Sequence, residues 1–467
     1  MLFSSINFLY YFLPIVLIVY FVVPFKAKNL VLLISSLFFY FYGEPVYTLL
    51  MLATILSSYI HGLLIGKFKG TVWAKVFLWS SVITSIGALG FFKYSDFFIH
   101  NINNIFGSSA SLLGLALPIG ISFYTFQTMS YTIDVYRGEA APQKNIIHLA
   151  TYGALFPQLI AGPIVRYVTV AEELSERKHS FENFSYGVTR FVLGLAKKVL
   201  IADQLGSMSK ALYAMDEATV GGYWLYAIAI SLQLYFDFSG YSDMAIGLGR
   251  IFGFHFLENF NYPFISKSIG EFWRRWHMSL GSWFRDYVYI PMGGNRVKLP
   301  RWFLNTLTVW FLTGFWHGAD WTFILWGLYF AIFLMLEKFW LNKFFEKLPR
   351  FLSHIYVCVV ILVSFVLFNG AGLAGSLSDI GGMFGAGGIA LWSGETAYHL
   401  SGYALLLICA LLGATPLVKK SVLKLKENAA ARKIINVLEP IVVVVLLLCV
   451  TAYFVDGSFS PFLYFRF

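Results

Sequence analysis

What most constrains this chain is the length of its uncharged apolar runs. Residues 5–25 contain no Asp, Glu, Lys, Arg or His, and residues 30–66 contain only Glu44 and His61. Further runs at 302–316, 321–336, 352–372, 400–418 and 440–454 are long enough, or nearly so, to cross hydrocarbon as helix. About 20 apolar residues span a bilayer, and only helices or closed barrels satisfy the backbone there. Barrel strands would alternate polarity over about ten residues; these runs are longer and continuous. Charged residues make up 12% of the chain, against roughly 25% in soluble domains. So few charges could not solubilise a body this size, and the chain reads as an all-α integral membrane protein.

The net charge of +10 would suggest a nucleic-acid surface if its placement were ignored. Lys26 and Lys28 follow the first apolar run, Lys67, Lys69 and Lys75 the third, and Arg137 and Lys144 the fifth, while the intervening tips are nearly free of Lys and Arg. That alternation is the positive-inside pattern. It places the N-terminus outside, explains the basic excess as topology, and leaves no nucleic-acid partner to expect. The first run lacks a basic leader and a small-residue cleavage site, so it is expected to be an anchored span, not a signal peptide. Cys358, Cys409 and Cys449 lie in apolar runs without metal-type spacing, which points to core packing and to neither disulfide nor metal.

With no linker, low-complexity tract or repeat, residues 1–467 read as one domain. About eleven full crossings are expected from run length, with 146–165 and 185–205 as re-entrant or interfacial segments; the latter carries Lys197 and Lys198. Residues 261–300 break the pattern with eight charged residues among nine aromatics. At helical spacing Trp273, Trp276, His277, Leu280, Phe284 and Tyr287 share one face, and Arg274, Arg275, Ser282, Arg285 and Asp286 fall largely on the other. Two readings stand: an amphipathic helix at the membrane surface, or a helix dipping into a cavity to present polar groups to a ligand.

Of nine histidines, two have unusual surroundings. His277 sits in Trp273-Arg274-Arg275-Trp276-His277, and His317 in Phe315-Trp316-His317-Gly318, within an apolar stretch running from Leu304 to Trp326. Ionisable groups at membrane depth are costly and face a cavity or a partner. Trp310, Gly314, His317 and Trp321 share a helical face, where a neutral imidazole accepts a proton, and Gly318 would let another backbone or a ligand approach closely. The plainer alternative is a structural histidine donating to a neighbouring carbonyl. Asp237 and Asp243, in Tyr235-Phe236-Asp237-Phe238-Ser239-Gly240-Tyr241-Ser242-Asp243, either hold a polar ligand, pair with Arg250 or Arg274, or cap helices at a break around Gly240. No phosphate loop, nucleotide fingerprint, zincin helix or nucleophile elbow is present, and no bound cofactor is expected.

Taken in order, Leu117-Pro118-Ile119-Gly120-Ile121-Ser122-Phe123, the Phe236 to Asp243 motif, Phe272-Trp273-Arg274-Arg275-Trp276-His277, Arg285-Asp286-Tyr287 with Ile290-Pro291-Met292-Gly293-Gly294-Asn295-Arg296, Phe315-Trp316-His317-Gly318, and the ending Pro461 to Phe467 resemble the membrane-bound O-acyltransferase family. Within it they resemble the bacterial alginate O-acetyltransferase-like branch; residues 345–440 look generic. The resemblance implies a ring of tilted helices around a funnel, with His317 as catalytic histidine and His277 as the second polar residue of the active site. It implies an acyl thioester donor (acetyl-coenzyme A or an acyl carrier) and a polysaccharide acceptor outside the cytoplasmic membrane. Secreted acetyltransferase partners and membrane lipid are the expected associates. Arg274, Arg275 and Arg285 would suit the donor's phosphates, with Asp237, Asp243 and Trp316 as further substrate contacts. A transporter for lipid-linked sugars is the main competing reading, and a non-catalytic scaffold a third.

Overall fold

A computed structural model of the chain describes residues 1–457 and 462. Phe462 apart, the motif from Pro461 to Phe467 lies outside the described residues. Every regular element among the described residues is helical, as the backbone of a chain with such apolar runs requires.

The chain forms two compact units, one from residues 1–191 with 242–257 and one from 192–241 with 258–467. The first is built around Pro45–Lys67, Val72–Phe106 and Ile121–Arg137. Ile121–Arg137 is buried on nearly all sides, polar Gln127, Thr128, Ser130 and Asp134 included. It approaches Pro45–Lys67 closely because Gly62 leaves room for Tyr131, whose ring stands where a Cβ would be. A second cluster joins Phe3, Phe8, Phe12, Phe39 and Phe156 edge to face.

In the second unit, Leu299–His317 and Trp321–Leu336 form an antiparallel hairpin. Two glycines set its closeness: a Cβ at Gly314 would stand 2.2 Å from Phe323 O, and one at Gly327 2.2 Å from Trp310 O. Small residues at such a crossing let backbones touch where hydrophobic driving force is weak. Arg350–Asn369 packs on the hairpin and brings Phe365 and Phe368 to a core that includes Trp276, Trp326 and Phe330.

Among the described residues, five helices are long and apolar enough to cross a membrane: Pro45–Lys67, Val72–Phe106, Trp321–Phe345, Arg350–Asn369 and Ala429–Val455. Gly394–Gly402 with Ala404–Gly413, bent by 57°, adds a sixth as a broken span. The difference from about eleven expected crossings has a physical source. Ile121–Arg137 and Val220–Ile251 bury polar side chains against protein, and a helix shielded from lipid need not be apolar all round. Ala429–Val455 is the opposite case, with Ile434, Val437, Val444 and Leu448 all exposed as a lipid-facing helix requires. Cys409 and Cys449 are exposed on helix surfaces and Cys358 is half-buried, so the cysteines are not the core residues their apolar surroundings suggested.

Two expected helices are broken. The stretch around His277 is not one amphipathic helix: Ile269–Trp273 ends, His277 adopts a left-handed conformation (φ 44°, ψ 53°), and Met278–Phe284 begins. The other break comes after His317, where the backbone turns extended at Gly318. Asp320 then caps the next helix, accepting from Thr322 N at 2.7 Å. Trp321 therefore belongs to that next helix and is exposed, not on the His317 face. Conversely, no break occurs at Gly240. Val220–Ile251 is continuous, and Gly240 instead lets Gly194 O come within 2.7 Å of the place a Cβ would take.

Candidate active site

His277 and His317 reach the same indole. The His277 ring meets Trp316 at 6.0 Å between centroids and the His317 ring meets it at 5.0 Å, both edge to face. Trp316 is 4% exposed, His277 2% and His317 6%, so aromatic rings replace water around both imidazoles. His317 is further walled by Trp326 at 5.1 Å and Phe368 at 5.3 Å, and His277 by Phe238 at 4.7 Å.

The backbone around His277 is held from both sides. Buried Glu337, on the helical extension of the hairpin, accepts from Ile269 N and from Gly270 N (3.0 Å for the latter), fixing the short helix on the N-terminal side. Asn259 fixes the C-terminal side: its carbonyl accepts from Met278 N at 2.9 Å and its side-chain Oδ1 accepts from Ser279 N at 3.1 Å and Ser279 Oγ at 2.9 Å. A backbone N–H can only donate, so the atom facing Ser279 N is the amide oxygen. That same oxygen lies 3.2 Å from His277 Nδ1. Nδ1 must therefore carry the proton, and Nε2 is the basic nitrogen of the neutral ring. A non-glycine residue with positive φ is uncommon and marks strain that the surroundings sustain, a frequent property of functional sites.

Between the helices lies a small cavity lined by Leu234, Asp237, Phe238, Trp276, His317, Trp326, Phe365 and Phe368. Its free space is about 20 Å³, enough for one water-sized group. Trp326 Nε1 is buried and bonds to nothing among the described residues, so the wall next to His317 carries an indole N–H.

Asp237, 2% exposed, stands on this wall, and its partner is a residue the sequence did not single out. Lys198 Nζ lies 2.7 Å from Asp237 Oδ1 and 2.8 Å from Asp203 Oδ1. Lys198 sits in a π-helical turn, Lys197–Ala202; such turns are rare and frequent at functional sites. The pairing expected for Asp237 with Arg250 or Arg274 does not form. Asp243 lies in the other compact unit, where Arg190 Nη2 holds it at 2.7 Å, and it does not line the cavity.

The three arginines also stand off the cavity wall. Arg275 is tied to Glu271 at 2.9 Å and to Asn261 O at 3.1 Å, Arg285 to its neighbour Asp286 at 2.6 Å, and Arg274 is exposed. Gly318 admits the ring of Phe323, not a second backbone. Sequence reasoning missed Asn259, Lys198 and Trp326. Of these only Lys198, a cation inside an apolar segment, carried a signal.

Residues 46–378 match the model of the membrane-bound O-acyltransferase family, a span that contains every candidate residue above. The probable alginate O-acetylase AlgI of Azotobacter vinelandii is 42% identical over 378 residues, covering 80% of this chain and 76% of that protein. The peptidoglycan O-acetyltransferase of Helicobacter pylori is 35% identical over 429 residues, 84% and 81% of the two chains. The teichoic acid D-alanyltransferase of Bacillus subtilis is 33% identical over 266 residues, 54% and 67%.

Proposed function

This chain belongs to the membrane-bound O-acyltransferase family, and we propose on that premise that it carries acetyl groups from a cytoplasmic thioester to hydroxyls of a polysaccharide beyond the cytoplasmic membrane, with His317 as the base. It is an O-acyltransferase and a multi-pass membrane protein. The observation that carries the catalytic reading is the packing of His277 and His317 on one buried indole beside a cavity. Membership in an acyltransferase family displaces the transporter and scaffold readings.

The chemistry needs no bound cofactor; the thioester, on coenzyme A or an acyl carrier, is a co-substrate. His317 takes the proton of the acceptor hydroxyl as its oxygen attacks the thioester carbonyl. The C–S bond then breaks, and the thiolate leaves with the proton from the imidazolium, so ester and thiol are formed and the ring returns neutral. Charge develops on the carbonyl oxygen during attack, and donors aimed at it stabilise the transition state most. The indole N–H of Trp326 is the donor we assign to that oxygen. His277, with its proton fixed on Nδ1 by Asn259, presents Nε2 as an acceptor that orients the incoming hydroxyl.

Acetyl is favoured because relatives named for alginate and peptidoglycan are named for acetyl transfer. An alginate-like exopolysaccharide or peptidoglycan is the proposed acceptor, reached directly or through a secreted acetyltransferase. The test is ester-linked acetate on cell-surface polysaccharide, compared between wild type and His317→Ala at matched membrane levels. Loss of acetate supports direct catalysis; unchanged acetate sinks the mechanism.

A further inference from the structure

The first unit contains a second polar constellation that acyl transfer does not use. A cleft of about 380 Å³ is lined by Phe21, His179, Ser180, Phe181, Phe184, Arg250 and Ile251. One of these lining residues, His179, is held from behind by Tyr20, which is fully buried. The Tyr20 hydroxyl donates to Phe252 O at 2.7 Å, and with its only proton so used it accepts from Arg177 Nε at 3.2 Å and from His179 Nε2 at 2.9 Å. Lys28 adds a further cation, its Nζ donating to Tyr20 O at 3.0 Å and lying 4.3 Å over the Tyr20 ring.

Among the described residues, no acidic side chain lines the cleft. The nearby Glu173 is occupied by the ring and backbone of His255, and Glu182, in the first turn of the next helix, is exposed. Two guanidinium nitrogens remain: Arg250 Nε and Arg177 Nη2 are buried and bond to nothing among the described residues. Arg177 as a whole is 7% exposed. Burying a polar donor without an acceptor is costly, so the arrangement calls for an anion. Ser180 adds to this as N-cap of Phe181–Ala196, its Oγ accepting from Asn183 N at 3.1 Å. The N-terminus of that 16-residue helix directs its positive end to the same cleft.

The rim is apolar. Phe181 is 86% exposed, and Phe21 and Val22 at the end of the first apolar helix are 42% and 79% exposed. Lys26 and Lys28 come directly after that helix, and the positive-inside pattern assigns this end to the cytoplasmic leaflet, the leaflet that carries anionic lipid. We infer that this cleft binds one anionic phospholipid of the cytoplasmic leaflet, its phosphate between Arg250 and the Ser180 helix end, its acyl chain along Phe21, Phe181 and Phe184. A free inorganic phosphate would have no use for the phenylalanine rim, and a zwitterionic lipid would bring its own cation against Arg250.

The site stands apart from acyl transfer, so its test reads lipid. The full chain is purified in mild detergent, stripped of lipid, and titrated with phosphatidylglycerol or phosphatidylcholine while bound lipid is counted by native mass spectrometry. Wild type is expected to retain one phosphatidylglycerol at least tenfold more tightly than phosphatidylcholine. Arg250→Gln should lower that affinity about tenfold. Ser180→Asp keeps a side chain that caps helices equally well but places a carboxylate where the phosphate would sit, and should lower it as much. Equal retention of the two lipids, or wild-type retention by the folded Ser180→Asp variant, overturns the inference. So does displacement of the lipid by millimolar inorganic phosphate or by coenzyme A, which would assign the site to a soluble phosphate.

Discussion

Asn259 decides which nitrogen of His277 carries the proton. Its Oδ1 is identified by the backbone N–H of Ser279 and stands 3.2 Å from His277 Nδ1, so the basic nitrogen is Nε2. Asn259→Ala removes this constraint and strips a buried N–H of its acceptor, which costs about 1–3 kcal/mol of stability. In membrane preparations the variant should show a fall in kcat of at least tenfold with KM for the thioester little changed. A variant that loses stability yet keeps wild-type kcat would reduce Asn259 to a packing residue.

Trp326→Phe tests the oxyanion donor: it keeps an aromatic ring on the Cβ but removes the indole N–H together with the outer part of the bicycle, so folding is measured beside activity. Removing one such donor lowers kcat by roughly 10²–10³ in enzymes where it has been isolated. Acyl transfer in detergent to a soluble acceptor is the readout. A loss under threefold with normal folding would remove Trp326 from the mechanism.

Lys198 holds two carboxylates inside the protein, Asp237 at 2.7 Å and Asp203 at 2.8 Å. Lys198→Met takes this cation from both, and breaking a buried pair typically costs about 3–5 kcal/mol. The double variant Lys198→Met/Asp237→Asn should recover part of that loss, since neutralising one acid removes one uncompensated charge. Thermal unfolding of the purified protein measures both; equal midpoints for the single and double variants would show that the two residues do not couple.

Gly327→Ala presses a methyl group against Trp310 O, 2.2 Å from where the Cβ would stand, and within 3.1 Å of Gly314. Backbone cannot yield as a side chain does, so the hairpin has to part, at a cost of about 1–3 kcal/mol. Because His317 ends one arm of that hairpin, the expected loss of acyl transfer exceeds what the loss of folded protein explains. Gly87→Ala, where no atom lies within 4 Å of the new Cβ, is the matched control and should leave activity unchanged.

The membrane character of this chain, the basic residues beside its apolar runs and the aromatic surroundings of His277 and His317 were all legible in residue order, because hydropathy and charge are local properties. The breaks at His277 and Gly318 were not. A helix was read across each because the apolar spacing continues through them, while what ends the helix is tertiary: Asn259 and Glu337 gripping the backbone around His277, and Phe323 packed where Gly318 has no side chain. Asp320 was a readable N-cap signal and marks the second break. The partner of Asp237 lies 39 residues earlier on another helix, at a separation no periodicity reports. Gly240 shows the converse: glycine between two acids suggested a break, yet its role is a close helix crossing.

The left-handed backbone at residue 277 also limits which residues natural variation can place there. At φ 44° a β-branched side chain is strained whatever its chemistry, whereas Asn and Asp tolerate the conformation. Drift at this position is thus channelled toward Asn, Asp or Gly, and Val, Ile and Thr are closed off by geometry before catalysis is consulted. His277→Ala consequently mixes a backbone penalty with a lost imidazole, and His277→Asn is the exchange that separates them. The kink and the ring are inherited as a unit: a lineage keeping the imidazole must also keep the contacts that bend the chain beneath it.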